Sequence, residues 1–137
     1  ESKNISLDYS NLVAPGTVII ADPEQLKRVI NNIISNSVKY LDKPKGEIDI
    51  RLLDEVDSIR VEIEDNGKGI AAKDLPKIFE RFYRTDASRN SSQGGSGIGL
   101  SIVKKIVEDH GGYIWATSKE GEGTCMHFVI RKYQEAE

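Results

Sequence analysis

The sequence predicts an α/β sandwich whose sheet is mixed but mostly antiparallel, with its helices packed on one face. Three observations predict it. Strand-like stretches outnumber helical ones, they come in neighbouring pairs joined by short polar turns, and the helical stretches carry one apolar stripe each. A doubly wound fold would instead alternate strand and helix strictly. The 137 residues are 38% hydrophobic and 30% charged, within the ordinary range of one globular domain. A chain of this size buries roughly two thirds of its unfolded surface, so it needs no disulfide or metal staple to fold.

The elements follow in order. Residues 3–10 alternate, with Ile5, Leu7 and Tyr9 on one side, and residues 17–21 form a β-branched run after Pro15-Gly16. Both read as strands joined by a turn. Asp22-Pro23 supplies an N-cap and a proline at the first helical position, and helical spacing continues to about Leu41. Residues 47–53 and 58–64 alternate strictly around the polar stretch Asp54–Asp57, which predicts a hairpin. After Asp65-Asn66-Gly67 the period changes, and a short helix is predicted over Leu75–Arg81, with Ile78, Phe79 and Phe82 on its apolar side. Residues 85–96 are rich in loop formers and nearly devoid of apolar side chains, the composition of a mobile excursion. Helical periodicity resumes from Gly97 to Asp109, where Ile98, Ile102, Val103, Ile106 and Val107 make a stripe and Gly111-Gly112 stops it. Strands over about 113–118 and 124–132 close the chain around the turn Lys119–Gly123. The predicted order is β-β-α-β-β-α-loop-α-β-β, with no internal repeat and no domain linker.

Charge excludes some functions. Nineteen Lys and Arg against 22 Asp and Glu give a net charge of −3 with both signs scattered, which disfavours nucleic acid as a partner. No apolar stretch approaches membrane-helix length, and Glu-Ser-Lys-Asn at the start lacks the order of a signal peptide. The single cysteine, Cys125, rules out an intramolecular disulfide and a cysteine-rich zinc site, and a reducing compartment is expected. Cys125 and Trp115 read as core or near-core strand residues. Because the chain starts without Met and directly on strand-like sequence, it is expected to be a piece of something longer.

Three groups of residues carry chemistry. On the first long helix, Leu26, Ile30, Ile33, Ile34 and Leu41 share a broad face, while Asn32, Asn36 and Lys39 fall within about 60° of one another on the opposite side. Two Asn and a Lys on an arbitrary helix make a solvated polar face. Here three Asn (Asn31, Asn32, Asn36) stand within six positions where Glu or Lys would support the helix better, which points to function. A carboxamide oxygen is a hard, neutral ligand suited to Mg²⁺ beside a triphosphate, where a carboxylate would add repulsion. Lys39 then meets a phosphate oxygen as a point charge. Second, Asp65-Asn66-Gly67-Lys68-Gly69-Ile70 ends an alternating strand. Asp-Asn-Gly alone is an ordinary turn, but the second glycine and the switch to helical period argue against a simple hairpin. A carboxylate over a glycine-walled cavity accepts a hydrogen bond from an adenine amino group, which makes Asp65 the candidate base reader. Third, Gly94-Gly95-Ser96-Gly97-Ile98-Gly99-Leu100 opens the last helix, whose free N–H groups and dipole favour phosphate. It lacks the Gly-Lys-Ser/Thr ending of a P-loop and the preceding strand of a dinucleotide fingerprint. Gly121-Glu122-Gly123-Thr124 is a weaker glycine element that alone reads as a hairpin turn.

Together these residues resemble a family. Asn32-x-x-x-Asn36-x-x-Lys39-Tyr40, Asp65-x-Gly67-x-Gly69, Phe79-x-x-Phe82-Tyr83-Arg84, Gly95-x-Gly97-x-Gly99-Leu100 and Gly121-x-Gly123-Thr124 are similar to the N, G1, F, G2 and G3 boxes of bacterial sensor histidine kinases. The resemblance spans essentially all of residues 1–137 and implies the catalytic ATP-binding domain of the GHKL superfamily. It implies that Asn36 ligates Mg²⁺, that Asp65 reads adenine, that Lys39 and Arg84 approach the phosphates, and that Tyr40 stacks near the base. Arg81 is an alternative to Arg84. Asn32, Gly67, Gly69, Ile70, Gly95, Gly97, Ile98, Gly99, Leu100 and Thr124 are implied to line the nucleotide site. Residues 85–96 are implied to be the ATP lid, anchored at its start by Phe79 and Phe82.

The same superfamily includes hydrolysing ATPases, namely type II topoisomerase B subunits, mismatch-repair MutL proteins and a major heat-shock chaperone. Those resemble one another in a glutamate one turn before the metal-binding Asn, acting as general base on water. Here that position is Asn32, and an amide cannot abstract a proton. Phosphoryl transfer to a protein nucleophile is favoured over the alternatives of an ATPase or a non-catalytic nucleotide-sensing domain. His110, in Glu-Asp-His-Gly-Gly, and His127, in an alternating strand, lack the context of the family's phosphoacceptor box and read as structural. The resemblance therefore implies an upstream dimerisation and phosphoacceptor domain as partner, a response regulator receiver domain as onward acceptor, and a homodimeric parent anchored in the membrane with this domain cytoplasmic. The isolated domain is expected to be monomeric.

Overall fold

In a computed structural model of the chain, the structure describes residues 4–80 and 99–133. Strand β1 (Ile5–Asn11) is followed by helix α1 (Pro23–Lys39), the hairpin of β2 (Gly46–Asp54) and β3 (Ser58–Asp65), helix α2 (Gly99–Asp109), and the hairpin of β4 (Tyr113–Lys119) and β5 (Gly123–Arg131). The five strands make one sheet in the order β1-β2-β3-β5-β4. β1 runs parallel to β2 and every other pair is antiparallel, so the sheet is mixed and mostly antiparallel as the sequence predicts.

Local chemistry explains both helices. The Asp22 carboxylate accepts the N–H groups of Glu24 and Gln25 at 3.0 and 3.4 Å, and Pro23 occupies a first-turn position where its missing N–H costs nothing. On α1, Val29 and Ile33 are fully buried; on α2, Val103 and Val107 are. These stripes meet the inward residues of the alternating strands, among them Ile48, Ile63, Phe128 and Ile130, each at most 2% exposed. Burying a side chain of that size stabilises by about 1.5–3 kcal/mol, so this one face of the sheet supplies the core. His110 ties the layer together at its end. It accepts the Asp22 N–H at Nε2 (3.0 Å) and donates from Nδ1 to the Ile106 carbonyl (2.8 Å), joining the end of α2 to the start of α1. Its role is structural, as its position at a helix end suggests.

The opposite face of the sheet is covered by its own side chains. Arg51 reaches Glu62 at 3.0 Å and Glu64 at 2.9 Å, and His127 donates from Nδ1 to Glu62 at 3.0 Å. The His127 ring also stacks on Trp115, their planes 4° apart. Burial alone would raise the Glu62 carboxyl, but its hydrogen bond to Arg51 and the charges around it hold it below the usual range. Glu62, Cys125 and His127 bring three metal-ligand atom types within 4.8 Å of one another. Each already has a partner, however, and Arg51 sits against both Glu62 and the Cys125 sulfur. Burial, then Glu62 and Glu64, push the Cys125 thiol up to about 12, so it is a protonated packing group.

Four sequence expectations need correction. Residues 17–21 do not form a strand: Ile19 makes a single bridge to Lys132 and packs on the core, while Val18 and Ile20 stay 56% and 66% exposed. The run has no long partner because it crosses the end of the sheet between β1 and α1. For the same reason β1 does not pair with it in a hairpin but lies parallel to β2, with Ile5 opposite Gly46. The short helix expected over Leu75–Arg81 is a 3₁₀ turn over Leu75–Lys77, Pro76 and the brief apolar content supporting only one turn; Arg81 lies outside the described residues. The first long helix ends at Lys39 rather than Leu41, the Tyr40 N–H closing it on the Asn36 and Ser37 carbonyls.

Candidate functional site

The site is built where the ends of β3, β4 and β5 meet the last turn of α1. The register places Asp65 opposite Thr124 and Thr124 opposite Ser118, all three on the helix-covered side of the sheet. A cavity of about 260 Å³ lies at the same strand ends, lined by Glu64, Asp65, Thr117, Ser118, Lys119 and the segment Glu122–Cys125; Glu64, Thr117 and Cys125 belong to the opposite face of the sheet, and among the described residues none of α1 lines it.

Asp65 is held from three sides. Its Oδ1 accepts the Gly67 N–H at 2.8 Å and the Thr124 N–H at 3.3 Å, and its carboxylate also accepts from the Ser37 hydroxyl. Burial raises the Asp65 carboxyl above the usual aspartate range, and these three donors only partly offset it. Ser37 is 4% exposed and lies in the apolar stripe of α1, next to Asn36. Sequence reasoning missed it. The signal was a small polar residue four positions after Ile33, at a core-facing helical position.

The glycine loops around Asp65 are clamped together. Gly121 N–H donates to the Lys68 carbonyl at 2.7 Å, Lys68 N–H to the Tyr40 carbonyl at 3.2 Å, and Ile70 N–H to the Ser118 Oγ at 2.8 Å. Two of these loop positions combine a positive φ with a backbone clash for any Cβ. Gly69 has φ +75° and a Cβ there would lie 2.3 Å from the Lys119 carbonyl oxygen; Gly123 has φ +141° and a Cβ there would lie 2.0 Å from the Asp65 carbonyl oxygen. Asn66 anchors the loop. It accepts the Glu47 N–H and donates to the Lys45 carbonyl, fixing the loop to β2. Lys43 caps the Gly67 carbonyl at 3.0 Å.

Next to the Ser37–Asp65 contact, α1 presents Asn32 and Asn36, both half-buried, and Lys39 and Tyr40 follow at its end. Lys39 and Lys68 both approach the Tyr40 ring, at 5.4 and 4.8 Å from its centroid. Two ammonium groups on one aromatic ring make a positive mouth suited to an anionic ligand. Sequence reasoning had no role for Lys68, whose only signal was a cation between two loop glycines. Gly99 and Leu100 stand in the first turn of α2. Arg84, the alternative Arg81, Phe82, the segment 85–96, Gly95, Gly97 and Ile98 lie outside the described residues. His127 is on the opposite face of the sheet from Asp65, away from this site.

Residues 21–134 match the family described as "Histidine kinase-, DNA gyrase B-, and HSP90-like ATPase". The chain belongs to the GHKL family, among the ATP-binding domains of histidine kinases. It is 41% identical over 119 residues to the sensor histidine kinase WalK of Bacillus subtilis, a match covering 85% of this chain and 19% of that protein. The chain thus spans about a fifth of that relative's length. Among solved structures, a mycobacterial sensor histidine kinase, MprB, superimposes with a TM-score of 0.78 at 30% identity, covering 94% of this chain and 86% of that one. Full-length ShkA in complex with AMPPNP superimposes at 0.77 with 26% identity, covering 96% of this chain and 27% of that one. Among the described residues no helix is long and apolar enough to cross a membrane.

Proposed function

We propose that this GHKL domain binds Mg·ATP and donates its γ-phosphoryl group to a histidine on a separate dimerisation and phosphoacceptor domain, for onward transfer to a response regulator aspartate. The observation that carries the reading is the Ser37–Asp65 hydrogen bond. It locks the base reader to the helix turn that presents Asn36, so one rigid unit supports both the base end and the phosphate end of a nucleotide.

In this reading Asp65 accepts the adenine amino group, Thr124 completes the floor, and Gly67, Gly69 and Ile70 line the base site, the two glycines letting the loops close tightly around Asp65. Tyr40 flanks the base. Asn32 and Asn36 face the phosphate arm, and Lys39 meets its charge. The half-buried Asn36 amide fits Mg²⁺ as a neutral oxygen donor. Bound there, the ion would neutralise charge on the γ-phosphate, as in phosphoryl transfer generally. Arg84, or Arg81, and the glycines Gly95, Gly97 and Gly99 with Ile98 and Leu100 complete the phosphate side, and 85–96 serves as the lid. The domain is monomeric by itself, and its parent is a membrane-anchored homodimer holding the domain in the cytoplasm.

Asn32 favours transfer over hydrolysis. It stands one turn before Asn36, where a hydrolase needs a general base, and its amide has no proton affinity to offer water. The isolated chain incubated with ATP and Mg²⁺ is expected to bind nucleotide without steady release of phosphate. Continuous phosphate release above that of a heat-inactivated control would instead assign it to the ATPase branch.

A further inference from the structure

The hydroxyl of Ser118 has more hydrogen-bond partners than a serine can serve in more than one way, and that fixes where the protons are. Its Oγ lies 2.8 Å from the Ile70 nitrogen, 2.8 Å from the Gly123 carbonyl oxygen and 2.8 Å from Thr124 Oγ1. A backbone N–H can only donate and a carbonyl can only accept. The single Ser118 proton therefore goes to Gly123, and one Ser118 lone pair takes the Ile70 N–H. The remaining lone pair takes the Thr124 hydroxyl proton. Thr124 Oγ1 is left with lone pairs only, while its N–H is spent on Asp65 at 3.3 Å. Thr124 is 9% exposed, and Asp65, Thr124 and Ser118 are cross-strand neighbours on the helix-covered side of the sheet.

We infer that Ser118 is a positioning residue that sets the polarity of the base site: it turns Thr124 into a pure acceptor, so that the floor offers lone pairs from both Asp65 and Thr124 and selects an amino-bearing purine over an oxo-bearing one. The inference rests on the nucleotide-binding reading above and deepens it. Asp65 alone rewards an amino group. A freely rotating Thr124 hydroxyl, however, would turn its proton toward an oxo group and accommodate it, and Ser118 removes that option by holding the proton. Sequence alone gives no hint of this, because Ser118 looks like one more small residue in the inward row Ile114, Ala116, Ser118 of β4.

Calorimetric titration of the chain with ATP and with inosine triphosphate, which carries an oxo group in place of the adenine amine, tests it. The wild-type chain should favour ATP. Ser118→Ala frees the Thr124 proton and should narrow the ATP-to-ITP affinity ratio by about tenfold, the equivalent of one hydrogen bond changing sign. Ser118→Thr keeps the hydroxyl and should retain the wild-type ratio, and Thr124→Val should make the Ser118→Ala change silent. Should Ser118→Ala melt below the assay temperature, Ser118→Cys keeps the volume, loses most of the hydrogen bonding and carries the same ratio test. An equal loss for both nucleotides in Ser118→Ala, leaving the ratio unchanged, would reduce Ser118 to a structural role and overturn the inference alone. A wild-type chain that bound neither nucleotide would overturn the nucleotide-binding reading, and the inference with it.

Discussion

Asp65→Asn is expected to weaken ATP and ADP binding alike, by about 30-fold or more, because a hydrogen bond to a charged acceptor contributes roughly 1.5–3 kcal/mol and the base is common to both ligands. The substitution keeps shape and volume. Its oxygen can still accept the Gly67 and Thr124 N–H groups, so the loop it organises survives. What is lost is the negative charge facing the base. The pH dependence follows from the raised carboxyl of Asp65. Binding needs the ionised form, so affinity should fall on acidification at a higher pH than an ordinary aspartate with a value of 3.8 would give, and this component should vanish in Asp65→Asn. Stability runs the other way. Between the unfolded value and the raised folded value, the folded state still holds a proton that the unfolded state has released, so the ligand-free chain loses stability as pH rises through that window. Asp65→Asn removes that loss. Its ligand-free melting temperature at neutral pH should be no lower than that of the wild type, and a markedly lower one would mean that Asp65 serves the fold rather than the base.

Asn36→Ala should weaken Mg·ATP binding on the order of tenfold or more, the equivalent of one ligand contact, and change metal-free ATP binding far less. Asn36 is half-buried and lies on the flank of α1 away from the core stripe, so its removal opens no cavity among the buried residues. Alanine also raises helix propensity at that position, and the helix itself should be slightly firmer. Calorimetric titrations with and without Mg²⁺ on both variants check the assignment. Equal losses in the two conditions would show that Asn36 acts on the helix or on the nucleotide directly and not through the ion.

Much of this was legible because the elements that frame the site obey local rules. The cap at Asp22-Pro23, the strict alternation of β2 and β3 and the stripe of α2 each follow from periods of 3.6 or 2, and the structure keeps them within one or two residues. β1 was legible as a strand but not in its pairing. Nothing local tells a first strand whether to turn back on the next apolar run or to wait for a strand that follows a helix, and the loss of residues 17–21 to a single bridge is that ambiguity resolved by the sheet. The site divides in the same way. Asp65, Asn36, Lys39 and Thr124 sit in short motifs, which is why the sequence alone can propose them. Ser37 and Ser118 act by touching residues far along the chain, Asp65 in one case and Ile70 in the other, and only the register of β3, β5 and β4 against α1 brings those atoms together. Lys68 became visible when its ammonium was placed over Tyr40.

The central claim is that the chain holds the phosphoryl donor while the accepting histidine lies on another domain. It is tested most directly by mixing the chain with the phosphoacceptor domain of its own parent protein and γ-labelled ATP in the presence of Mg²⁺, and following acid-labile label on each polypeptide. Label should appear on the partner's histidine, slowly because the tether that gives a high effective concentration is missing, and should be lost with Asp65→Asn or Asn36→Ala. Label on His110 or His127 of the chain itself, or none on the partner while ATP is bound, would contradict it.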